Sequence, residues 1–522
     1  QAAFLEVALP ALSESSVHVP QDKVGRLKAL TPIDQAFLYN SEVVVQIALL
    51  VACEDDNEIA LCAVQILALV AASPFFDVQQ KFPEQSRTKM NRLVGLLQAS
   101  PETLRIQEAF VFRLSEDVPE SELEAPEWQP SLDDTVNAEE KATNADGLRR
   151  AIRAAILDLL LINTRTDKTA PNVAHLLLGF DIQARSDEMQ IDDPEAADTV
   201  RTSLHVVLDV LAQNVAEDES EVQVRLPAAP CPSWKCTLAD LLVGLPPQVS
   251  ALMRHPTLAA QCYRLVRQLC IHPFTSAVVS RYLRNREQFF LRQTLALPFS
   301  VPPASQGALG AAQYGDGRQV VTSSAAVCAI LRSEAELLES AALELSVLAT
   351  GSDVRRASEL VTALLETPNA MDNDVPTFLE QNGGLEQGLP RMLEIFHSFD
   401  FAWHDSITPA EYRLSLFAEL RFDSCLRRDP NGCEMYDFGA LLALLGAARR
   451  ELQNRGLLST AQQQEEVKRE TRAIVETLVV ENHRREIQHA RYHALKSWRN
   501  LLDIVLAKAF DLVPVETRHS LI

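Results

Sequence analysis

The best candidates for metal ligands in the sequence are Glu486, His489 and His493. Spacings of three and four residues place them on one face of a helix, and a histidine pair four residues apart forms half of many zinc sites. The glutamate that a zinc protease carries inside such a pair is missing, and the nearby Arg484 and Arg485 would repel a cation. A solvated helix face is therefore the favoured interpretation, and no metal site is predicted.

Two cysteine pairs could also bind a metal. Cys231 and Cys236 have four residues between them, but no second pair lies at a fixed distance, so a zinc knuckle is not supported. Cys425 and Cys433 flank the run Asp-Pro-Asn-Gly at 429–432, which predicts a turn. The acid-rich loop of about twelve residues that calcium needs is absent there. No cofactor is predicted.

Catalytic motifs are incomplete wherever they occur. Asp437-Phe438-Gly439 spells part of a kinase signature, but the catalytic loop, the glycine-rich loop and the strand lysine are missing. Neither a nucleophile elbow nor a phosphate-binding Gly-Lys-Ser/Thr motif occurs. Four glycines fall in a Gln- and Ala-rich stretch without a preceding strand, which predicts a linker: Gly307, Gly310, Gly315 and Gly317. The sequence therefore predicts no enzyme and no small-molecule substrate.

Basic and aromatic residues cluster near the middle of the chain. The net charge is −23, which argues against direct binding of nucleic acid. The arginines are best explained as the solvent-exposed face of two helices whose aromatic residues lie in the core, and RNA binding is the alternative. Trp403 beside Phe401 predicts an aromatic cluster at a helix junction, used for packing or for seating a partner's helix. The basic cluster and its aromatics are Arg281, Arg284, Arg286, Arg292, Tyr282, Phe289 and Phe290.

The elements that must position these residues are helices. Apolar residues recur with a helical period, and alternating strand patterns are nearly absent. Residues 459–510 contain helix-forming residues for about fifty positions, as one very long helix or as two helices meeting at a kink. One apolar stripe of helical period comprises Ile59, Cys62, Ile66, Leu69 and Val70.

A chain of 522 residues is too long for one helical bundle core. A stack of helix pairs can be extended to any length, because each pair packs only on its neighbours. We therefore predict an all-α fold: a superhelical α-solenoid of degenerate armadillo- or HEAT-like repeats. Residues 115–147 hold eleven acids against one lysine, and residues 184–199 hold six more acids, which predicts disordered insertions. The predicted division is helical repeats at 1–114, an acidic linker at 115–147, repeats at 148–298 with the acidic loop 184–199, a loop at 299–320 and repeats at 321–522.

The compartment signals favour a reducing environment. Nine cysteines are an odd number at irregular spacing, mostly inside apolar runs, which predicts core thiols rather than a disulfide framework. The longest apolar stretch, residues 43–53, is too short to span a membrane. A start at Gln1 without Met or a signal peptide suggests an internal piece of a longer protein.

Several motifs in order resemble one family. The clear matches cover about residues 170–300 and the region near Trp498. They are Leu176-Leu177-Leu178-Gly179-Phe180, Thr202-Ser203-Leu204-His205, Gln261-Cys262-Tyr263, Gln268-Leu269-Cys270, Ser280-Arg281-Tyr282-Leu283-Arg284, Phe289-Phe290, Leu297-Pro298-Phe299 and Ala494-Leu495-Lys496-Ser497-Trp498. They are similar to the large inner-ring scaffold nucleoporins, called nucleoporin 192 in fungi and nucleoporin 205 in vertebrates.

This resemblance implies a location in the nuclear pore complex at the nuclear envelope. It implies a structural scaffold role in the inner ring, in support of nucleocytoplasmic transport. The partners that it implies are linker nucleoporins, whose short segments dock in grooves, and other inner-ring scaffold nucleoporins. No partner motif maps onto this chain, so the partner-binding residues stay unknown. The alternative is a soluble transport receptor or adaptor of the karyopherin kind. A single Phe-Gly dipeptide, Phe438-Gly439, argues against a barrier-forming nucleoporin.

Overall fold

The described part of the chain is mostly helical and divides into two compact units. Of the described residues, those up to 116, 145–207 and 271–278 make unit 1, and those within 208–270 and 279–513 make unit 2. Most of both predicted acidic insertions lies outside the described residues, and the predicted domain boundaries stay a prediction. The computed structural model describes residues 36–37, 39–80, 90–116, 145–184, 189–192, 200–212, 255–286, 288–297, 301, 310–351, 353–365, 391–409, 415–429 and 431–513.

Unit 1 is built from short helices with one two-stranded antiparallel sheet, β1–β2. A 3-10 turn at Leu50–Ala52 joins the first two helices. The elements are α1 (Ser41–Leu49), α2 (Asn57–Ala72), β1 (Gln79–Gln80), β2 (Met90–Asn91), α3 (Arg92–Ala99), α4 (Thr103–Ser115), α5 (Ala145–Asn163), α6 (Val173–Leu177) and the first half of α7 (Ser203–Ala212).

Local side-chain caps explain where these helices begin. The Asp56 carboxylate accepts the N–H groups of Glu58 and Ile59 at 2.9 and 3.1 Å at the start of α2. The Asn91 side chain does the same at the start of α3. Each cap satisfies backbone donors that have no partner inside the helix, so an acid or amide at these positions fixes the first turn.

The apolar stripe predicted on α2 faces solvent for the most part. Ile59, Cys62, Ile66 and Leu69 are exposed, and only Val70 is buried. α2 packs against α5 and buries its other side, which consists of Ala60, Ala63, Val64 and Leu67. Because α2 is apolar on both sides, helical periodicity alone does not identify the buried side.

Unit 2 combines longer helices with two small antiparallel sheets, ordered β4-β3-β5 and β6-β7. Its elements are the second half of α7, α8 (Pro256–Ile271), α9 (Ser276–Asn285), α10 (Phe289–Leu295), β3 (Gly310–Tyr314), β4 (Gln319–Thr322), α11 (Ser324–Thr350), α12 (Val354–Leu365), α13 (Arg391–Ser398), β5 (Phe401–Asp405), β6 (Leu426–Arg428), β7 (Glu434–Tyr436), α14 (Phe438–Asn454) and α15 (Ala461–Lys508).

The long pair α11 and α15 forms the centre of unit 2. The stretch 459–510, predicted as one helix or two, contains the single helix α15 of 48 residues, which at 1.5 Å per residue is about 72 Å long. A reciprocal cap between Thr460 and Gln463 starts it. Side chains of α11 are buried over most of its length, so α11 is covered by neighbours on several sides.

The all-α expectation needs a correction, because the predicted loop 299–320 contains strand β3 and the start of β4. Asp316 and Gly317 form the turn, and Gly317 has a φ of +87°. β3 also pairs with β5, which places Trp403 in a strand instead of at the predicted helix junction. This pairing joins residues about ninety positions apart, so local sequence gave no signal for it. β5 is tied to α15 by a 2.6 Å contact between Asp405 and Nδ1 of His483.

The expectation of core thiols is confirmed for five cysteines and wrong for one. Cys62 is exposed on α2. Burial raises the pKa of the Cys270 thiol to about 12. Among the helices that the structure describes, none is both long and apolar enough to cross a membrane. The buried cysteines are Cys262, Cys270, Cys328, Cys425 and Cys433.

Candidate partner-binding groove

A groove between helices of unit 2 is a concave surface with an apolar floor. Four helices contribute to it: the end of α9, the start of α10, the last turns of α11 and the middle of α12. It has about 320 Å³ of empty volume including its open mouth. The lining residues are Arg284, Gln288, Phe290, Leu291, Glu344, Leu348, Arg356, Glu359 and Leu360.

The floor of the groove is apolar. Phe290, Leu348 and Leu360 are buried, and Leu291 is half-buried beside them. These residues come from three helices, and each lies on the inward side of its own amphipathic helix. An apolar side chain from outside would lose water contact here against apolar carbons, beside the paired charges of Arg284 and Glu344.

The rim of the groove carries two arginines and two glutamates. Arg284 holds Glu344 in a two-point pair, with Nε–Oε1 at 2.6 Å and Nη2–Oε2 at 3.0 Å. This hydrogen bonding to Glu344 raises the pKa of Arg284. On the other side, Glu359 accepts hydrogen bonds from Gln288 and from Arg355. The rim charges are therefore mostly paired, so the groove selects by shape and apolar contact more than by net charge.

Gln288 at the edge of the groove has a left-handed backbone. Its φ is 54°, and among the described residues it is the only non-glycine with positive φ. A left-handed non-glycine residue costs about 1–2 kcal/mol. The Gln288 amide donates to Glu359 at 3.1 Å, which links the start of α10 to α12 across the groove. Strain held in place at a concave surface is a feature of functional sites, where it fixes the geometry in advance.

The groove is open, narrow and apolar with a polar rim. It lacks any combination of nucleophile, base and oxyanion donor, so its lining residues indicate binding rather than chemistry. An apolar floor inside a polar rim is the kind of surface on which a short segment docks between helices.

The predicted metal candidates lie in an ionic seam between α11 and α15. Glu486 pairs with Arg332 at 3.0 Å, and His493 lies 3.7 Å from Glu339. Burial opposes ionisation of Glu339, but hydrogen bonding and charge from His493 and from Arg267 lower its pKa to about 2. The solvated helix face was therefore a wrong interpretation, because the side chains of this face are half-buried. In the described ranges no group of three His, Cys, Asp or Glu residues could hold a metal ion.

The other motifs have structural roles where they are described. Cys425 and Cys433 are buried at the β6–β7 hairpin, whose predicted turn is confirmed by a hydrogen bond from Cys433 N to Asp429 Oδ1 at 2.7 Å. Asp437 caps α14 by accepting the N–H of Ala440 at 3.0 Å, so this run is a helix start. Cys231, Cys236 and Gly307 lie outside the described residues. The remaining glycines of the predicted linker belong to β3 or to the turn after it.

The arginine cluster is neutralised by acids and aromatic rings. Arg284 pairs with Glu344, as described above. Arg286 pairs with Asp209 at 3.3 Å and lies over the Tyr282 ring. Phe290 is buried, as predicted, whereas Phe289 and Tyr282 are half-buried. These pairings leave no open basic surface at Arg284 and Arg286, which favours the packing interpretation over RNA binding.

The aromatic cluster around Trp403 holds a sheet together. A Cβ at Gly310 would lie 2.2 Å from a ring atom of Trp403, so only glycine fits opposite this ring. Arg491 stacks over the Phe401 ring at 4.3 Å and donates to its carbonyl at 2.6 Å. Packing is therefore the role of this cluster, as its default interpretation predicted.

Sequence reasoning missed most residues of the groove. Glu344, Leu348 and Leu360 are ordinary members of amphipathic helices, and nothing in their spacing sets them apart. Gln288 carried no signal either, because its left-handed backbone depends on the connection between α9 and α10. Only Arg284 and Phe290 were singled out beforehand, as parts of the basic cluster.

The motifs that carry the family resemblance are packing devices. After α6, the N–H groups of Gly179 and Phe180 bond to Leu176 O and His175 O, which closes the helix with Gly179 at φ +87°. A Cβ at Gly179 would lie 2.4 Å from Thr202 Cγ2, so the two motifs pack together only with glycine there. In unit 2, the Trp498 indole donates to Met392 O at 2.8 Å and fastens α13 to α15.

Comparisons with known proteins match these motifs to a family. The family model described as nuclear pore complex scaffold, nucleoporins 186/192/205, matches residues 1–522. The human nuclear pore complex protein Nup205 is 24% identical over 396 residues, covering 72% of this chain. The chain spans only 17% of that relative's length. The family resemblance predicted from the motifs is confirmed by these matches.

Proposed function

Because this chain belongs to the nucleoporin 186/192/205 family of nuclear pore complex scaffold proteins, we propose that it is an inner-ring module that binds short segments of linker nucleoporins. The family is structural, so the chain is a scaffold component of the nuclear pore complex and not an enzyme. Through this binding it would help to hold the ring together and so support nucleocytoplasmic transport. We further propose that its helix pairs form part of a superhelical α-solenoid of armadillo- or HEAT-like repeats.

The groove of unit 2 carries the proposal. Its floor of Phe290, Leu348 and Leu360 offers an apolar anchor site, and the paired charges on its rim give it no net basic character that would attract nucleic acid. A short segment that enters as a helix or an extended strand would place one or two apolar side chains on this floor. The left-handed Gln288 and its bond to Glu359 would keep the groove formed before the partner arrives.

A calorimetric titration tests this function. The 522-residue chain is titrated with peptides that tile the linker nucleoporins. One peptide is expected to bind, and Leu291→Asp is expected to weaken its binding about tenfold or more, because it places a charge beside the apolar floor. Leu442→Asp is the matched control, since Leu442 is exposed on α14 and does not line the groove.

Two results would contradict the proposal. One is that no linker peptide binds to the folded chain. The other is that a peptide binds with equal affinity to the wild type and to Leu291→Asp, which would place its site elsewhere. The family match favours a scaffold over a soluble transport receptor. Accordingly, the same titration with a small GTPase is expected to show no binding.

A further inference from the structure

One side of helix α2 in unit 1 is an exposed apolar surface. Leu69 is 73% exposed, Ile59 42% and Ile66 36%, and Cys62 is exposed between them. These four residues are called the α2 face below. α2 is therefore apolar on its buried side and on its solvent side, a pattern that is typical of a helix covered from both directions.

The spacing of the α2 face specifies the shape of what could cover it. Its residues follow one another at intervals of three, four and three, which is the seam of a helix that packs along a second helix. At 1.5 Å per residue the seam is about 15 Å long. No charged residue occurs between Glu58 and Asp77, so the seam is uninterrupted.

The start of α2 gives one end of this surface a negative charge. Glu54, Asp55 and Glu58 are all exposed there. None of the three forms an ion pair with any residue that the structure describes. Arg113, by contrast, turns inward and donates to Val51 O at 3.0 Å, so its charge does not neutralise these acids. The acidic end is complementary in charge to a partner that carries Lys or Arg.

We propose that the α2 face docks an amphipathic helix of a protein partner. The helix carries apolar side chains at alternating spacings of three and four residues, with Lys or Arg near the end that meets Glu54, Asp55 and Glu58. Docking buries the four apolar side chains of the α2 face in a helix-to-helix contact, and the basic residues set its direction. This site lies in unit 1 and does not depend on the groove of unit 2 or on the function proposed for it.

Fluorescence anisotropy with a designed probe tests the proposal. The probe is a labelled peptide of about 21 residues with Leu at the seam positions and Lys at one end. A scrambled peptide of the same composition and a peptide with Glu in place of Lys serve as controls. The designed probe is expected to bind the 522-residue chain at least about tenfold more tightly than either control.

Variants of the chain locate the binding. Leu69→Asp is expected to weaken probe binding about tenfold or more, whereas Tyr492→Asp, on an equally exposed residue of α15, leaves it unchanged. The combined change of Glu54 and Glu58 to Gln and Asp55 to Asn is expected to weaken binding and to flatten its salt dependence between about 0.05 and 0.3 M. Leu69→Gln replaces Leu69→Asp if circular dichroism shows that the aspartate variant unfolds.

Three results would overturn the proposal. If the scrambled peptide bound equally well, the α2 face would bind apolar peptides regardless of the order of their residues. Equal weakening by Tyr492→Asp would place the probe elsewhere. A wild-type chain that dimerises in sedimentation, becomes monomeric with Leu69→Asp and does not bind the probe would make a second copy of this chain the occupant. If the groove variant Leu291→Asp failed to affect linker peptides, the result would not bear on this proposal, because the two surfaces consist of different residues.

Discussion

Glu470 accepts hydrogen bonds from three consecutive main-chain N–H groups, so its replacement tests the packing of unit 2. Its carboxylate, fully buried on α15, accepts the N–H groups of Ser415, Leu416 and Phe417 at 2.8–3.0 Å. It also accepts the Ser415 hydroxyl at 2.6 Å. The carboxylate thus holds residues 415–417 against α15.

The cost of Glu470→Gln follows from these contacts. Oε2 accepts from Leu416 and Phe417, whereas Oε1 accepts from Ser415 and again from Leu416. If an amide nitrogen replaces either oxygen, its own N–H groups face the backbone N–H groups of residues 415–417. One or two of these backbone N–H groups then lose their acceptor. At about 1–3 kcal/mol for each such group, the variant is expected to lose about 2–4 kcal/mol of stability at pH 7.

The effect also depends on pH in a defined direction. Burial opposes ionisation of Glu470, but the hydrogen bonds from Ser415, Leu416 and Phe417 outweigh it, so its pKa lies below the ordinary 4.5. A lowered carboxyl pKa contributes stability that is complete above the unfolded value and is lost as the pH falls through the folded value. The difference between the wild type and Glu470→Gln is therefore expected to narrow as the pH falls below 4.5.

The stability that Glu470 contributes to residues 415–417 can be measured by hydrogen exchange with mass spectrometry. Amides of residues 415–417 are expected to exchange about 30-fold to 1,000-fold faster in Glu470→Gln than in the wild type. Glu465→Gln is the control, since Glu465 is exposed on the same helix and its loss is expected to change stability by no more than about 0.5 kcal/mol. Equal exchange in Glu470→Gln and the control would refute the assigned contacts.

Three further predictions concern the packing of both units. Gly179→Ala is expected to lower the stability of unit 1 by about 2–4 kcal/mol in urea unfolding, because it strains a φ of +87° and clashes with Thr202. The control Gly446→Ala has open space around it and is expected to stabilise unit 2 by up to about 1 kcal/mol. Trp498→Phe is expected to lower the urea midpoint by an amount equal to about 1–2 kcal/mol, since Met392 O loses its donor. Burial, with a smaller effect of a neighbouring histidine, lowers the pKa of His175 to about 3, so the wild type is expected to lose about 2 kcal/mol between pH 7 and pH 5 that His175→Gln does not lose.

Helix identity could be predicted from this sequence because its signals are local. The Asp56 cap, the cap and period of α15 and the Asp-Pro-Asn-Gly turn at 429–432 each depend on residues within one or two turns of chain. The family could be recognised for a related reason. Gly179 and Trp498 fit tight places in the packing, so the motifs around them are specific.

The parts that escaped prediction depend on contacts between distant residues. β3 pairs with β5 across about ninety residues, and Ser415 meets Glu470 across 55. The orientation of α2 could not be predicted for a different reason, since a helix that is apolar on both sides has no unique buried face in its periodicity. The groove of unit 2 could not be predicted for two reasons. The residues of its floor come from three separate helices, and they are common apolar residues that no pattern distinguishes.

Site-specific photo-crosslinking at Leu291 tests the central claim most directly. A photoreactive residue is placed at this position in the whole family protein, and the crosslinks are identified in assembled nuclear pore complexes. The groove is expected to yield a crosslink to a short segment of a linker nucleoporin, while the same residue at Leu442 yields none to that segment. Crosslinks from Leu291 only to its own chain, or equal crosslinks from both positions, would contradict the role of this groove in binding linker nucleoporins.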